Sequence, residues 1–193
     1  MECELTYFKL KNINMRKLIF LTILSVAFAS CSNVGKYKEA IESLSSDWES
    51  ATSQVKATVD QITEAQNQAT TALQNMNPSE EVAATLSDEQ KNKIATVQQT
   101  VQSKVGDLGA LAQQALEFIG KWQEEGEKLD ALKEGLAGGK LPGDVQATID
   151  SLKGMIGTAG EKVSEWASQV DSAKQAVASA TQSYNDVIGG GAQ

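Results

Sequence analysis

The sequence predicts an all-α fold: an elongated antiparallel three-helix bundle, a coiled coil folded back on itself. Three observations point there. Apolar residues recur every seven positions in three successive stretches. The only two prolines, Pro78 and Pro142, fall between those stretches. Alanine, serine, glutamine, threonine and lysine dominate, and no β-branched run at period two is bounded by turn residues. At 193 residues the chain has the length of one domain.

The first helix is expected over about residues 34–76. Val34, Ile41, Trp48, Val55, Ile62, Ala69 and Met76 form one row, and Tyr37, Leu44, Ala51, Thr58, Ala65 and Ala72 the companion row. Only Thr58 is polar, and the flanks carry Lys, Glu, Ser, Gln and Asp. Asn77-Pro78 should end the helix, because the residue before a proline is pushed out of the helical region. Residues 79–86 have room for one short helical turn.

The second helix is expected over about 87–137. Ser87-Asp88-Glu89-Gln90 has the form of a capping box, with Ser87 as N-cap. Its main row is Ile94, Val101, Leu108, Ala115, Trp122, Leu129 and Leu136. Lys104 and Glu125 interrupt the companion row of Val97, Leu111, Phe118 and Leu132. Gly138-Gly139 should stop it. Asp144 then caps a third helix over about 144–188. Its rows are Val145 to Val187 in steps of seven, and Ile149, Ile156, Val163, Val170, Val177 and Tyr184. Gly189 to Gln193 reads as a tail.

Helices of this length reach roughly 60–75 Å at 1.5 Å per residue. A short second connection forces antiparallel neighbours. Each helix carries one tryptophan in its row of seven: Trp48, Trp122 and Trp166. Counted from Gly35, Gly138 and Asp144 at the common end, they stand about 20, 24 and 33 Å up the bundle. The first two should share a layer. They are candidates for a core layer or, in the alternative below, a ligand mouth. Glycines 106, 109, 120, 126 and 135 in the second helix, and 154, 157 and 160 in the third, permit close packing or soften the bundle.

The N-terminal part has a different character. Arg16 and Lys17 precede an apolar run of twelve, Leu18 to Ala29, with small residues at its end. This is the layout of a secretory signal, and it is shorter than the roughly 20 residues of a membrane span. Phe28-Ala29-Ser30-Cys31 resembles the lipobox of bacterial lipoproteins, with Phe28 where leucine is usual. The resemblance implies cleavage between Ser30 and Cys31, a diacylglycerol on the Cys31 thiol and an acyl chain, such as palmitate, on the new amine. Two or three chains anchor stably where a single one is marginal.

The domain organisation expected is therefore a signal peptide at 15–30 and the bundle at 31–193. Residues 1–14 would be an upstream extension, with Met15 as the true start. On that reading Cys3 is not made, and the mature chain has Cys31 as its sole cysteine. By the same resemblance, Ser32 in place of an aspartate indicates the outer membrane. Without an acidic run after Cys31, the periplasmic leaflet is favoured over the cell surface.

The whole chain has 17 basic and 25 acidic residues. Without Lys9, Lys11, Arg16, Lys17, Glu2 and Glu4, 13 lysines face 23 acids, a net charge of −10. Such an acidic chain, without arginine, is a poor nucleic-acid binder. It has no histidine. Gly138-Gly139-Lys140 lacks the rest of a phosphate loop, and no nucleophile elbow is present. Glu124, Glu125 and Glu127 form the densest acidic cluster and read as a solvated face. No enzyme activity, catalytic residue, metal or cofactor is expected.

The expected function is that of a lipid-anchored envelope lipoprotein whose rod-like bundle is a structural or protein-interaction module. Its partners would be the membrane, through Cys31, and an envelope protein; a docking subunit of a larger envelope machine differs only in partner. It resembles the murein lipoprotein in having an anchor followed by a helical rod. It ends in Gly-Gly-Gly-Ala-Gln where that family ends in a wall-linked lysine, so covalent attachment is not expected. The alternative is a carrier or sensor taking a lipid or other apolar ligand between its helices, although helices that bind lipid present a wider apolar face than two rows per heptad.

Overall fold

The structure is a computed structural model that describes residues 32–189. The expected extension (1–14), signal (15–30), Cys31 and residues 190–193 lie outside the described residues. Four helices follow in order: α1 (Ser32–Asn75), α2 (Glu80–Thr85), α3 (Asp88–Ala137) and α4 (Val145–Gly189). The described residues contain no strand, and the three long helices all pack on one another.

Side-chain pairings define the topology. Trp48 meets Trp122, and Gln98 Nε2 donates to the Met76 carbonyl at 3.0 Å, so α1 and α3 are antiparallel. Phe118 meets Trp166, and Gln90 Nε2 donates to the Val187 carbonyl at 3.4 Å, so α3 and α4 are antiparallel too. It follows that α1 and α4 run parallel. The α3–α4 turn lies at the same end as the start of α1. The α1–α3 connection and the end of α4 share the far end.

Each break is built by local chemistry. Ser79 caps α2, its Oγ accepting from Val82 N–H at 3.3 Å. Ser87 Oγ accepts from Gln90 N–H at 3.2 Å, while Ser87 N–H donates to Gln90 Oε1 at 2.9 Å, completing the capping box. At the end of α3, Gly138 N–H donates to the Glu134 carbonyl and Lys140 N–H to the Gly135 carbonyl, both at 2.8 Å. Gly139 supplies the left-handed step with φ 71°. The chain then doubles back so tightly that a Cβ on Gly135 would lie 2.8 Å from Lys140 O and Pro142 Cδ. Asp144 Oδ1 accepts from Ala147 N–H at 3.1 Å and starts α4.

The heptad rows form the core. A long cluster runs from Ile41 on α1, Leu132 on α3 and Val145 on α4 up to Ala69, Leu108 and Ala173. A smaller one at the far end joins Met76, Leu86, Ile94, Val101, Ala180 and Tyr184. Leu86, just past α2, plugs that end. Thr58, buried in the α1 row, donates its hydroxyl to the Gln54 carbonyl at 3.0 Å. Lys104, half-buried in the α3 row, pairs with Asp107 at 2.6 Å.

All five ion pairs among the described residues lie within one helix at spacing three or four. Pairs of this kind on a helix surface contribute little to stability, because solvent screens them. None ties one helix to another, so register rests on the shapes in the core and on a few hydrogen bonds between helices.

The glycines divide into two kinds. A Cβ at Gly109 would sit 3.3 Å from Gln66 Nε2, and one at Gly126 would sit 3.7 Å from the Trp48 indole. At Gly106, Gly120, Gly154, Gly157 and Gly160 a Cβ would meet nothing within 4 Å. Close packing inside the bundle therefore accounts for the first kind and not the second.

Candidate functional site

Two regions stand out: an aromatic layer inside the near half of the bundle, and an open groove along its far half.

The layer grows from the rows of seven. Trp48 and Trp122 face each other because α1 and α3 run antiparallel. Their rings stack with centroids 3.7 Å apart and planes 15° from parallel. Trp122 Nε1–H donates to Thr52 Oγ1 at 3.0 Å, and the Thr52 hydroxyl donates onward to the Trp48 carbonyl at 2.7 Å. One threonine thus joins both tryptophans. Phe118, one turn from Trp122 on α3, lies 5.9 Å from it and meets Trp166 edge-on at 5.6 Å and 82°. Trp166 is joined to the pair through Phe118. All three tryptophans are buried, and their rings are filled against one another, so an apolar ligand would have to displace them.

Beside this layer the acidic cluster departs from a uniformly solvated face. Glu124 and Glu127 are exposed, but Glu125 is half-buried. Its Oε1 accepts from Lys128 Nζ at 2.6 Å, while Oε2 is buried without a partner. The reason is its heptad position: Glu125 belongs to the row of Phe118 and Leu132, which turns its stem inward.

The groove occupies about 820 Å³ between α1 and α4. On α1 it is lined by Asp60, Thr63, Glu64, Asn67, Gln68, Thr71, Ala72 and Asn75, with Met76 just past the helix; on α4 by Thr181, Tyr184 and Asn185. Burial raises the Tyr184 phenol above its ordinary pKa. The lining offers carboxylates, amides and hydroxyls and no cation. These acceptors stand along walls whose exposed surface is mainly apolar, so the groove is mixed in character. The heptad reading passed over this stripe because its residues lie outside the apolar rows. One signal was available: no lysine or arginine occurs between Lys56 and Lys91.

Among the described residues no group of His, Cys, Asp or Glu is arranged to hold a metal ion, and no helix is long and apolar enough to cross a membrane. Comparison with protein-family models, with curated proteins and with solved structures finds no match.

Proposed function

We propose that the chain is a lipid-anchored lipoprotein of the cell envelope, held through Cys31, whose bundle is a rod-like structural and protein-interaction module. The observation that carries this reading is the join between two signals. The lipobox-like Phe28-Ala29-Ser30-Cys31 ends one residue before α1 begins at Ser32. A lipid on Cys31 would then attach to the rod with no linker between them. The α3–α4 turn would face the bilayer, and the groove would stand toward the far end. Outer-membrane placement on the periplasmic leaflet follows from Ser32 and from the lack of acids directly after the cysteine.

The test is an intact mass of the protein taken from the membranes of its own host, as the native chain and as Cys31→Ser. A mass beginning at Cys31 with lipid added, lost in the variant, is the expected result. A mass without lipid, or one retaining residues 1–14, overturns the anchor. For the interaction module, a photo-crosslinking residue at Asn67 in the groove should capture an envelope protein that the same residue at Gly154 does not.

A further inference from the structure

The core of the bundle is divided, and the division falls at one level on all three long helices. The long cluster ends at Ala69 on α1, Leu108 on α3 and Ala173 on α4. The far cluster begins at Met76, Val101 and Ala180. Trp122 on Trp48 and Gln98 on the Met76 carbonyl set the α1–α3 register, which brings Lys104 level with Ala69. Ala51 shares a cleft with Ala159, and Met76 a groove with Tyr184. Both pairs are 108 residues apart, so Val177 also stands level with Ala69.

What occupies that level is small or charged. Ala69, Ala72 and Ala173 each bring one methyl, far less apolar area than leucine would. Lys104 takes the α3 seam position there, half-buried, its Nζ paired with Asp107 at 2.6 Å. Gly106 and Gly109 follow within two turns, and glycine weakens the helix it sits in. Val177 is the one half-buried side chain that packs against both clusters. The interruption at Glu125 is different, because the long cluster continues past it from Trp122 to Leu129 and Leu132.

Each side of this level is held together by itself. The near side has the aromatic layer and the bond from Trp122 to Thr52. The far side has apolar residues from all three long helices, with Leu86 as a plug. It also has two hydrogen bonds between helices, from Gln98 to the Met76 carbonyl and from Gln90 to the Val187 carbonyl. The far cluster buries six residues and the near one twenty-two. Proteins open in contiguous units of this kind, and first where least apolar surface is buried.

We infer that the bundle is built of two cooperative units meeting at the level of Ala69, Lys104 and Val177, and that the far unit opens while the near unit stays folded. Opening bares Met76, Ile94, Val101 and Tyr184. Met76 and Tyr184, with Ala72, also line the groove, so the apolar part of its wall is the part that moves. The start of α1 belongs to the near unit, and the base of the rod is unaffected. The inference rests on packing alone and stands with or without the lipid anchor.

The experiment is native-state hydrogen exchange of the full chain, ¹⁵N-labelled and kept in detergent, in rising low concentrations of denaturant. Amides from Ile94 to Val101 and from Ala180 to Tyr184 should share one opening. It should be more frequent and less denaturant-dependent than the opening shared by Leu108 to Leu132 and Ile149 to Trp166. Ile94→Ala should speed exchange in the far set by roughly tenfold or more and leave the near set unmoved. Lys104→Leu, which lays an apolar side chain across the seam, should slow the far set toward the near one. A single opening common to both sets overturns the inference. So does protection that declines smoothly toward the far end without a step at the seam, which is fraying. Equal acceleration of both sets in Ile94→Ala, or a far set unchanged in Lys104→Leu, overturns it too. Should either variant not fold, the native exchange pattern decides.

Discussion

Trp122 donates its indole N–H to Thr52 Oγ1 at 3.0 Å, across the interface between α1 and α3. It is a side-chain hydrogen bond between helices in a bundle whose ion pairs, among the described residues, all stay within single helices. Thr52 sits just outside the apolar rows, where one face touches the core and the other meets solvent.

Replacing Thr52 with valine keeps the shape and removes the acceptor. The buried Trp122 N–H is then left unpaired, at a cost of about 1–2 kcal/mol. Denaturant unfolding followed by tryptophan fluorescence should show that loss for Thr52→Val and little change for Thr52→Ser. Equal stability of native and valine forms would mean that the bond contributes nothing.

The exposed glycines of α4 should behave oppositely to Gly135. Alanine at 154, 157 or 160 meets open space, so each substitution should stabilise, by up to about 1 kcal/mol, through helix propensity alone. Gly135→Ala drives a Cβ against Lys140 O and Pro142 Cδ and should destabilise. Thermal melts of the four variants check both signs together.

Ser87→Ala removes the side-chain half of the capping box at the start of α3. About 1 kcal/mol of stability should be lost. Gln90 also reaches the Val187 carbonyl, so hydrogen exchange should quicken at the first turn of α3 and near the end of α4.

Alkaline pH should loosen the far end of the bundle. Burial raises the Tyr184 pKa, so the folded state prefers the protonated phenol. That contribution is complete below the unfolded value of about 10 and is lost as pH rises through the folded value. Tyr184→Phe should flatten the fall in stability above about pH 10; a fall of the same depth in that variant would assign it to other groups.

The glutamate cluster marks where heptad reasoning was legible and where it stopped. The interruption of the α3 row at Glu125 could be read from spacing alone. That one of its oxygens is buried without a partner could not. The groove is a similar case. Its acids and amides are plain in the sequence, yet only the parallel course of α1 and α4 sets Tyr184 and Asn185 beside Asn67 and Asn75.

What the sequence determined by itself is everything local. Spacing of seven specifies helices with one buried seam. Pro78, the Gly138-Gly139 pair, and the caps at Ser87 and Asp144 specify where those helices begin and end, because each acts through residues within a turn of itself. The tertiary structure decided what depends on residues far apart in the chain: Trp48 upon Trp122, Thr52 between them, Phe118 against Trp166, and which glycines are packed and which are bare. Those relations are set by the axial offset of one helix against another. No ion pair between helices encodes that offset among the described residues. It emerges only when large and small side chains from all three rows are fitted into one core.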